Sequence, residues 1–288
     1  MSENPKNITA QDLVCPKCKG SLIILANKEF FCGKCNRNYP IIDGVYYFLM
    51  ENLDQVPYQQ IWKIDQRSSA SSMENAKPSI IDFKKNVLGK FEFSGRVLEI
   101  GAGLCWASLL LKRKNPGCQV FTSDISLEAL EKGKAASEKN DVKIHCSVVC
   151  RVERLPFPDN FFDYIFGSSV LIYADLGSAL KELRRVLKLG GYYIGIRECV
   201  SSRIFSPFYM LIYARKSDEY AAITQLHPYK EWMKALRNNG FSLYQIDSCK
   251  DMETKALASK SWYFIANKVP DALTRNLLFS EIHILMKK

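Results

Sequence analysis

The sequence reads Arg96-Val-Leu-Glu-Ile-Gly-Ala-Gly-Leu-Cys105 at the point where an apolar run gives way to a glycine turn. The next residues, Trp106-Ala-Ser-Leu-Leu-Leu-Lys112, have the composition of a helix. Glycine permits a bend with positive φ and a close approach by a ligand, and the helix start offers unpaired N–H groups. This order predicts a binding site at the carboxyl end of a parallel strand, where open α/β sheets hold nucleotide-like ligands.

A dinucleotide is disfavoured as the ligand, because its fingerprint requires a third glycine where this chain has Leu104-Cys105-Trp106.

A second strand, Gln119-Val-Phe-Thr-Ser-Asp124, ends in a carboxylate, and residues 126–139 have the composition of a helix. Asp124 lies about twenty residues beyond the glycine turn, where a carboxylate can accept hydrogen bonds from ribose hydroxyls. The repeated order of strand and helix predicts an α/β fold with a doubly wound parallel sheet.

The composition is that of a soluble globular protein, with 47% hydrophobic and 24% charged residues in 288. The formal charge of +10 suits acidic partners such as RNA, anionic lipid or phosphorylated metabolites, although a basic surface also simply aids solubility.

The first ten residues are polar and do not form a secretory signal. Residues 204–213 are about half the length of a membrane span and are interrupted by Pro207. We therefore expect a cytoplasmic protein without stable membrane insertion.

Four of the ten cysteines form two C-x-x-C pairs, Cys15-Pro-Lys-Cys18 and Cys32-Gly-Lys-Cys35. Two such turns, separated by a hairpin, bring four thiolates to the corners of a tetrahedron, which suits Zn²⁺ at about 2.3 Å from each sulfur. Ordinary buried cysteines or disulfides are the alternative, but the spacing favours a metal, with zinc ahead of iron. Four thiolates leave no open coordination position, so the predicted metal has a structural role.

The cysteine pairs lie within a longer pattern. Leu13-Val-Cys-Pro-Lys-Cys18 and Tyr39-Pro-Ile-Ile-Asp-Gly44 together resemble the zinc ribbon of the tRNA-methyltransferase activator family. In that family the module stands alone as an activator of methyltransferases or is fused ahead of one. We expect a ribbon domain over residues 1–50, a linker or cover over 51–78, and a larger domain over 79–288.

Two later segments indicate which family the larger domain resembles. They are Leu155-Pro-Phe-Pro-Asp-Asn-Phe-Phe-Asp163 and Lys188-Leu-Gly-Gly-Tyr-Tyr-Ile194. With the glycine turn and Asp124, they resemble the class I S-adenosylmethionine-dependent methyltransferases from about Arg96 to Glu198. The resemblance implies a Rossmann-like, seven-stranded, mostly parallel sheet flanked by helices, with S-adenosylmethionine as cofactor. Carried over by position, it assigns cofactor contacts to Glu99, Gly101, Ala102, Gly103, Asp124, Ile125, Val152 and Ser168.

One position departs from the family pattern. Family members usually have an acid two residues before Glu153, where it contacts the adenine amino group, but this chain has Arg151. A guanidinium group has no acceptor and cannot take over that contact. Either the Val152 main chain and ring stacking are sufficient, or cofactor affinity is weakened. A non-catalytic relative is therefore an alternative to an enzyme.

Methyl transfer is an in-line displacement, in which the enzyme aligns the reacting atoms and removes a proton when the acceptor is a hydroxyl. The candidate bases at the carboxyl ends of the strands are His227, Tyr173 and Glu198. His227 ranks first because imidazole titrates near neutral pH. A histidine that precedes a proline is also a common turn or cap residue.

Three kinds of function stay open. A small-molecule acceptor, methylated on oxygen or nitrogen, is favoured by predicted helical inserts near residues 203–226 and 250–279 and by the lack of a recognisable RNA-reading module. Methylation of RNA or protein is suggested by the ribbon and by the charge of +10, although the first 54 residues are electrically balanced. The third alternative is a partner protein that binds and stabilises another methyltransferase.

Overall fold

The computed structural model describes residues 12–26, 29–50, 88–89, 91–201, 227–248 and 281–288. The expected linker or cover at 51–78 and the expected inserts near 203–226 and 250–279 lie outside these residues. The described residues form one cysteine-bearing ribbon and one large sheet with its helices.

The ribbon contains five short strands. β1 (Ile23–Ile24), β2 (Phe30–Cys32) and β3 (Arg37–Tyr39) form an antiparallel sheet, which contains the hairpin expected between the cysteine pairs. β4 (Ile41–Ile42) and β5 (Val45–Tyr47) form a second hairpin. Asp43 and Gly44 make its two-residue turn with φ of 48° and 77°, a conformation that Asp and Gly tolerate well.

The large sheet confirms the predicted α/β fold. Its strands are β6 (Arg96–Ile100), β7 (Gln119–Asp124), β8 (Cys146–Val149), β9 (Phe162–Ser168), β10 (Leu187–Ser201), β11 (His227–Pro228), β12 (Ser242–Ser248) and β13 (Glu281–Lys287). Seven of them lie in the order β12-β13-β10-β9-β6-β7-β8. β13 is antiparallel to both neighbours and the other pairs are parallel, while β11 adds to the carboxyl end of β10. The sheet is therefore mostly parallel, as expected.

The described helices are α1 (Trp106–Lys114), α2 (Leu127–Lys139), α3 (Leu176–Val186) and α4 (Tyr229–Asn238). Ser126 and Asp175 cap α2 and α3, because each side chain accepts a hydrogen bond from an N–H in the first turn. Single 3-10 turns cover Val152–Arg154 and Leu171–Tyr173. Within the described ranges, no helix has the length and apolar character needed to cross a membrane.

The ribbon extends the large sheet. β5 pairs in parallel with β8, with Tyr46 opposite Val148 and Tyr47 opposite Val149. The Phe48 N–H continues this pairing by donating to the Val149 carbonyl at 2.8 Å. β8 is consequently an interior strand instead of an exposed edge that could pair with another chain.

Side chains of the ribbon and the sheet form one hydrophobic core. Leu13, Phe30 and Phe48 from the ribbon belong to the same buried cluster as Phe121 and Val148 from the sheet. A change in the ribbon or in the large sheet would disturb the packing of this shared core, because each part supplies atoms that the other needs for close packing. The ribbon is therefore part of the folded unit in this structure.

An ion-pair network joins the ribbon to α3. The Lys19 ammonium contacts the Glu182 carboxylate and donates to the Leu155 carbonyl at 3.2 Å. Arg185 donates to the two oxygens of Glu182 at 2.8 and 2.9 Å. Glu182 is buried, so loss of either cation would leave a poorly compensated charge inside the protein.

Gly133 allows α2 to approach the loop that starts α1. A Cβ atom at this position would lie 2.5 Å from Cys105 Sγ and 3.1 Å from the Leu104 carbonyl carbon. We expect Gly133→Ala to lower the free energy of unfolding by about 1–3 kcal/mol through overpacking, despite alanine's higher helix propensity. Gly177→Ala, in α3 with no atom closer than 3.8 Å, is the matched control and should be neutral or stabilising. Equal urea midpoints for both variants would contradict this packing argument.

Candidate functional site

The glycine turn leads from β6 to α1. Gly101 and Gly103 have φ of 58° and 51°, and Cys105 has φ of 59° just before the helix. A Cβ at Gly101 would collide with the Val170 side chain, so this glycine is required by both conformation and space. Val170 follows β9, and its contact holds together the carboxyl ends of two neighbouring strands. Sequence reasoning did not single out Val170.

Asp124 ends β7 and connects it to the glycine turn. Its Oδ2 accepts a hydrogen bond from the Gly103 N–H at 2.8 Å, and its Oδ1 accepts one from the Ser126 N–H at 2.9 Å. The side chain is only 6% exposed, and burial raises the pKa of this carboxyl although the N–H bonds oppose the shift. A carboxylate has about four acceptor positions, so these bonds leave capacity for further donors.

Glu99 has protein contacts that the sequence pattern did not predict. Its Oε2 accepts hydrogen bonds from the Ser108 N–H at 2.9 Å and from the Ser108 hydroxyl at 2.5 Å. Glu99 is 2% exposed as a whole residue, and its carboxylate joins β6 to the first turns of α1. A contact between Glu99 and the methionine half of a cofactor stays a prediction. Ser108, which sequence reasoning missed, is the partner that the buried charge requires.

The remaining predicted cofactor residues lie along the same edge of the sheet. The Ala102 N–H donates to the Ser123 carbonyl at 3.0 Å, and Ile125 packs beside β8. Val152 is in the 3-10 turn after β8, and Ser168 is the last residue of β9. The fold thus brings together segments that are separated by up to about seventy residues in the chain.

Arg151 stands at the start of the 3-10 turn, beside the end of β7. The Cys150 N–H donates to the Asp124 carbonyl at 2.9 Å, which places the next residue close to the acid. The Arg151 guanidinium lies 3.4 Å from Glu153, whose Oε1 also accepts the Asp175 N–H at 3.1 Å. Glu153 therefore offsets part of the charge that Arg151 brings to this edge.

Two candidate bases, Tyr173 and His227, are connected through Ala174 beyond the end of β9. Tyr173 ends the 3-10 turn there, and the next residue, Ala174, hydrogen-bonds through its carbonyl to His227. The His227 side chain is 17% exposed, and its Nδ1 lies 3.8 Å from Glu231. Burial lowers the pKa of His227, although Glu231 and Asp175 oppose the shift. Its Nε2 is buried and, like Trp232 Nε1, has no hydrogen-bond partner in the described structure.

For the third candidate base, Glu198, the strand pairing gives the position of the main chain. It lies in the carboxyl half of β10, opposite Ile282 of β13. Val200, two residues later, pairs with His227. The topology therefore places the Glu198 backbone at the same edge of the sheet as His227.

The four predicted metal ligands converge in the ribbon. The sulfur atoms of Cys15, Cys18, Cys32 and Cys35 all lie within 4.8 Å of one another, with two pairs at 3.4 and 3.5 Å. Sulfurs at the corners of a zinc tetrahedron are about 3.8 Å apart, given a bond of about 2.3 Å. The Tyr39 hydroxyl lies 3.1 Å from Cys15 Sγ. Burial opposes ionisation of Cys15, but hydrogen bonds from Tyr39 and the main chain lower its pKa to about 6.

Known proteins match both parts of the chain. The ubiquinone/menaquinone biosynthesis C-methyltransferase UbiE of Burkholderia mallei strain SAVP1 is 30% identical over 163 aligned residues. The alignment covers 49% of this chain and 65% of that relative, so it spans less than two thirds of the relative's length.

Solved structures share the fold at low sequence identity. Geranyl diphosphate C-methyltransferase from Streptomyces coelicolor A3(2) is 19% identical with a TM-score of 0.57, over 73% of this chain and 78% of that one. A complex between the Haloferax volcanii Trm112 methyltransferase activator and a putative methyltransferase gives 17% identity and a TM-score of 0.55, over 83% of this chain and 98% of that one.

Two family profiles locate these similarities in the sequence. One profile, described as a methyltransferase domain, matches residues 98–195, and that of Trm112p-like proteins matches residues 9–44. The first covers the strands, the glycine turn and the acid of the candidate site, and the second covers the cysteine cluster. The chain therefore carries a class I S-adenosylmethionine-dependent methyltransferase domain preceded by a Trm112p-like region.

Proposed function

We propose that this protein transfers the methyl group of S-adenosylmethionine to a small-molecule acceptor at the carboxyl edge of the large sheet. The observation that carries the proposal is the placement of Asp124, a buried carboxylate bonded to the N–H of Gly103 in the glycine turn. This bond holds the two cofactor-binding elements of the family in one arrangement before any ligand arrives. Preorganised groups of this kind lower the cost of binding.

The residues at this edge fit the cofactor. Asp124 retains acceptor capacity for the ribose hydroxyls, and the main chain of Gly101 to Gly103 would lie against the methionine half. Ile125 and Val152 would flank the adenine, and Ser168 would close the side formed by β9. When bound, S-adenosylmethionine supplies an electrophilic methyl group. The chain's task is then to hold that group and the acceptor atom in line.

Replacement of Asp124 tests the cofactor site. Asp124→Asn removes the charge and one acceptor oxygen, so we expect affinity for S-adenosylmethionine to fall about 100-fold, since hydrogen bonds to charged groups are worth about 1.5–3 kcal/mol. Isothermal titration calorimetry with S-adenosylmethionine and S-adenosylhomocysteine measures this change. Asp141→Asn is the matched control, because Asp141 is exposed and has φ of 51°, which Asn tolerates. Unchanged affinity in the Asp124 variant would remove the basis of the proposal.

We assign the role of general base to His227, with Tyr173 and Glu198 as supporting candidates. Burial favours the neutral imidazole, which can accept a proton, and the Ala174 carbonyl and Glu231 fix the ring. The buried, unpartnered Nε2 is the atom with capacity for a new hydrogen bond. A base at this place would take the proton that an acceptor hydroxyl or amine loses during the transfer.

Histidine titration tests this assignment without a known acceptor. The chain has three histidines, and the NMR signal that disappears in His227→Gln should titrate below the ordinary pKa of 6.5 and shift when S-adenosylhomocysteine is added. His145, whose ring packs 4.9 Å from that of Phe121, is the internal control and should not respond to the ligand. Because the folded state disfavours protonated His227, this residue should also make the protein less stable as pH falls below about 6.5. A His227 signal that titrates at 6.5 or above and ignores the ligand would refute its role.

The acceptor atom is the finer part of the proposal. The sequence pattern led us to oxygen or nitrogen, whereas the relative from Burkholderia and the Streptomyces enzyme are named as C-methyltransferases. Carbon is thus the principal alternative. Incubation with methyl-labelled S-adenosylmethionine and fractionated cell extract separates the classes of acceptor. Label in the small-molecule fraction supports the proposal, and label in the RNA or protein fraction replaces it with a macromolecular acceptor.

A non-catalytic partner protein is the second candidate. It is favoured by Arg151, which stands beside Asp124 where the family usually places an acid. The Haloferax complex contains an activator bound to a methyltransferase, so this fold also takes part in protein pairs. Failure of the zinc-loaded chain to bind cofactor in the calorimetric experiment would favour this candidate over an enzyme.

We also propose that the four cysteines bind one structural Zn²⁺. Their sulfur spacing fits a tetrahedral thiolate site, and the Tyr39 hydroxyl stabilises the thiolate of Cys15. Such a site would hold the knuckles against the core that the ribbon shares with the sheet.

Metal analysis tests the zinc site. We expect about one zinc per purified chain, and loss of that metal in Cys18→Ser. Because the ribbon packs into the common core, removal of the zinc should lower the melting temperature of the whole chain by about 4 °C or more. Cys118→Ser, a buried cysteine outside the cluster, is the control and should keep its metal. Full zinc content in Cys18→Ser would show that the metal lies elsewhere.

A further inference from the structure

The amino-terminal edge of the large sheet, opposite the candidate site, contains an open cleft of about 730 Å³. It forms where α3 and α4 end, where β9 begins, and where the last residue of the described chain follows β13. The charged residues that line this cleft are four cations and two acids, namely Lys181, Arg184, Arg185, Lys288, Asp159 and Glu182. The amides of Asn160, Asn238 and Asn239 complete its polar lining.

The carboxylates near the cleft are already occupied. Asp159 pairs with Arg185 at 2.7 Å, and Asp163 pairs with Lys188 at 2.8 Å. Glu182 is bonded to Arg185 and to the ribbon. Each of these acids thus already has a cationic partner, although Asp159 also acts on Lys288.

Four cations at this edge lack such partners. Lys181, Arg184, Lys287 and Lys288 have no carboxylate within ion-pair distance among the residues that the structure describes. The Lys288 ammonium donates to two neutral oxygens, Asn160 Oδ1 and the Leu187 carbonyl, both at 2.7 Å. Burial, and to a smaller extent repulsion by the nearby charges of Arg184 and Arg185, lower the pKa of Lys288, although Asp159 opposes the shift. An anion in this region would relieve that repulsion.

An exposed apolar side chain projects from the same edge. Leu189 is 85% exposed, compared with 55% and 50% for Ile23 and Ile24, the other exposed large hydrophobic residues described. It precedes Gly190, whose N–H donates to the Lys288 carbonyl at 3.1 Å. A Cβ added at Gly190 would lie 3.9 Å from Lys287 Cε. Leu189 thus lies near the start of β10, in the irregular stretch between Leu187 and Tyr192, next to Lys188 in the chain and close to Lys287.

We propose that this basic edge docks on a surface of anionic lipid, with headgroup phosphates at the cleft and Leu189 in the boundary with the acyl chains. Nucleic acid would match the cations but would give an exposed leucine no place to be buried. A lipid surface matches both, because long cationic side chains reach headgroups while apolar groups enter the interface. The inference is independent of the proposed catalysis, and it orients the candidate site away from the lipid.

Vesicle sedimentation of the full zinc-loaded chain tests the proposal. We expect binding to phosphatidylcholine vesicles that contain phosphatidylglycerol, weaker binding as salt rises, and no binding to phosphatidylcholine alone. Lys181→Gln/Arg184→Gln should lower the partition coefficient about 30-fold, since each cation near such a surface contributes about fivefold. Lys132→Gln/Lys134→Gln, which removes equal charge from α2, is the matched control and should change it little.

Leu189→Ser provides the discriminating variant, because it removes apolar area without changing charge. We expect it to weaken vesicle binding by about tenfold and to leave the melting temperature unchanged, since the side chain is exposed. Absence of vesicle binding would overturn the proposal. Vesicle binding that is unchanged in Leu189→Ser would also overturn it. The same holds if inorganic phosphate and RNA compete equally with the vesicles at matched ionic strength, because the surface would then be an anion or nucleic-acid site.

Discussion

The parallel pairing of β5 with β8 is the contact that unites the two parts of this protein. Tyr46 and Tyr47 lie opposite Val148 and Val149, and this register places Phe48 in the common core. Main-chain hydrogen bonds contribute modestly to stability, whereas burial of large aromatic side chains contributes much more. The strand pairing therefore fixes the geometry, and the aromatic residues supply the free energy. Without the pairing of β5 with β8, β8 would present an open edge and the ribbon would expose much of its apolar side.

At the carboxyl edge, three acids hold the starts of three helices. Glu99 binds Ser108 in the first turns of α1, Asp124 binds Ser126 before α2, and Glu153 binds Asp175 before α3. A carboxylate near a helix start satisfies unpaired N–H groups and interacts favourably with the helix dipole. The edge at which we propose that the cofactor binds is thus built by carboxylates that also stabilise the starts of helices.

Asp124 has a structural task in addition to its proposed contact with the cofactor. Its bond to the Gly103 N–H fixes the glycine turn relative to β7, while burial and nearby N–H groups act on its charge in opposite directions. Arg151, close to the same strand end, adds positive charge that Glu153 partly offsets. An arginine at this place can thus coexist with the folded site, because its charge has a partner within the same turn.

Much of this arrangement could be predicted from local pattern. The two C-x-x-C pairs, the glycine turn and the acid of Asp124 are short motifs, and their chemistry follows from spacing within one segment. The bond between Lys19 and Glu182 joins residues 163 positions apart, and no local pattern reports such a contact. The position of Val170 over Gly101 likewise depends on two strands that are neighbours only after folding. For Glu99 the motif gave the position correctly, but its partner, Ser108, became apparent only when α1 was placed.

Several cations lie at the amino-terminal edge of the sheet, and helix dipoles explain part of this concentration. The last turns of α1 and α3 carry Lys112, Arg113, Lys114, Arg184 and Arg185, as expected for cations near helix carboxyl ends. Lys287 ends β13 and Lys288 follows it, so no helix dipole accounts for them. Leu189 gains nothing from a dipole and remains in water beside them. A concentration of charge with an exposed leucine at its tip thus requires an explanation beyond helix stability, and an apolar, anionic surface provides one.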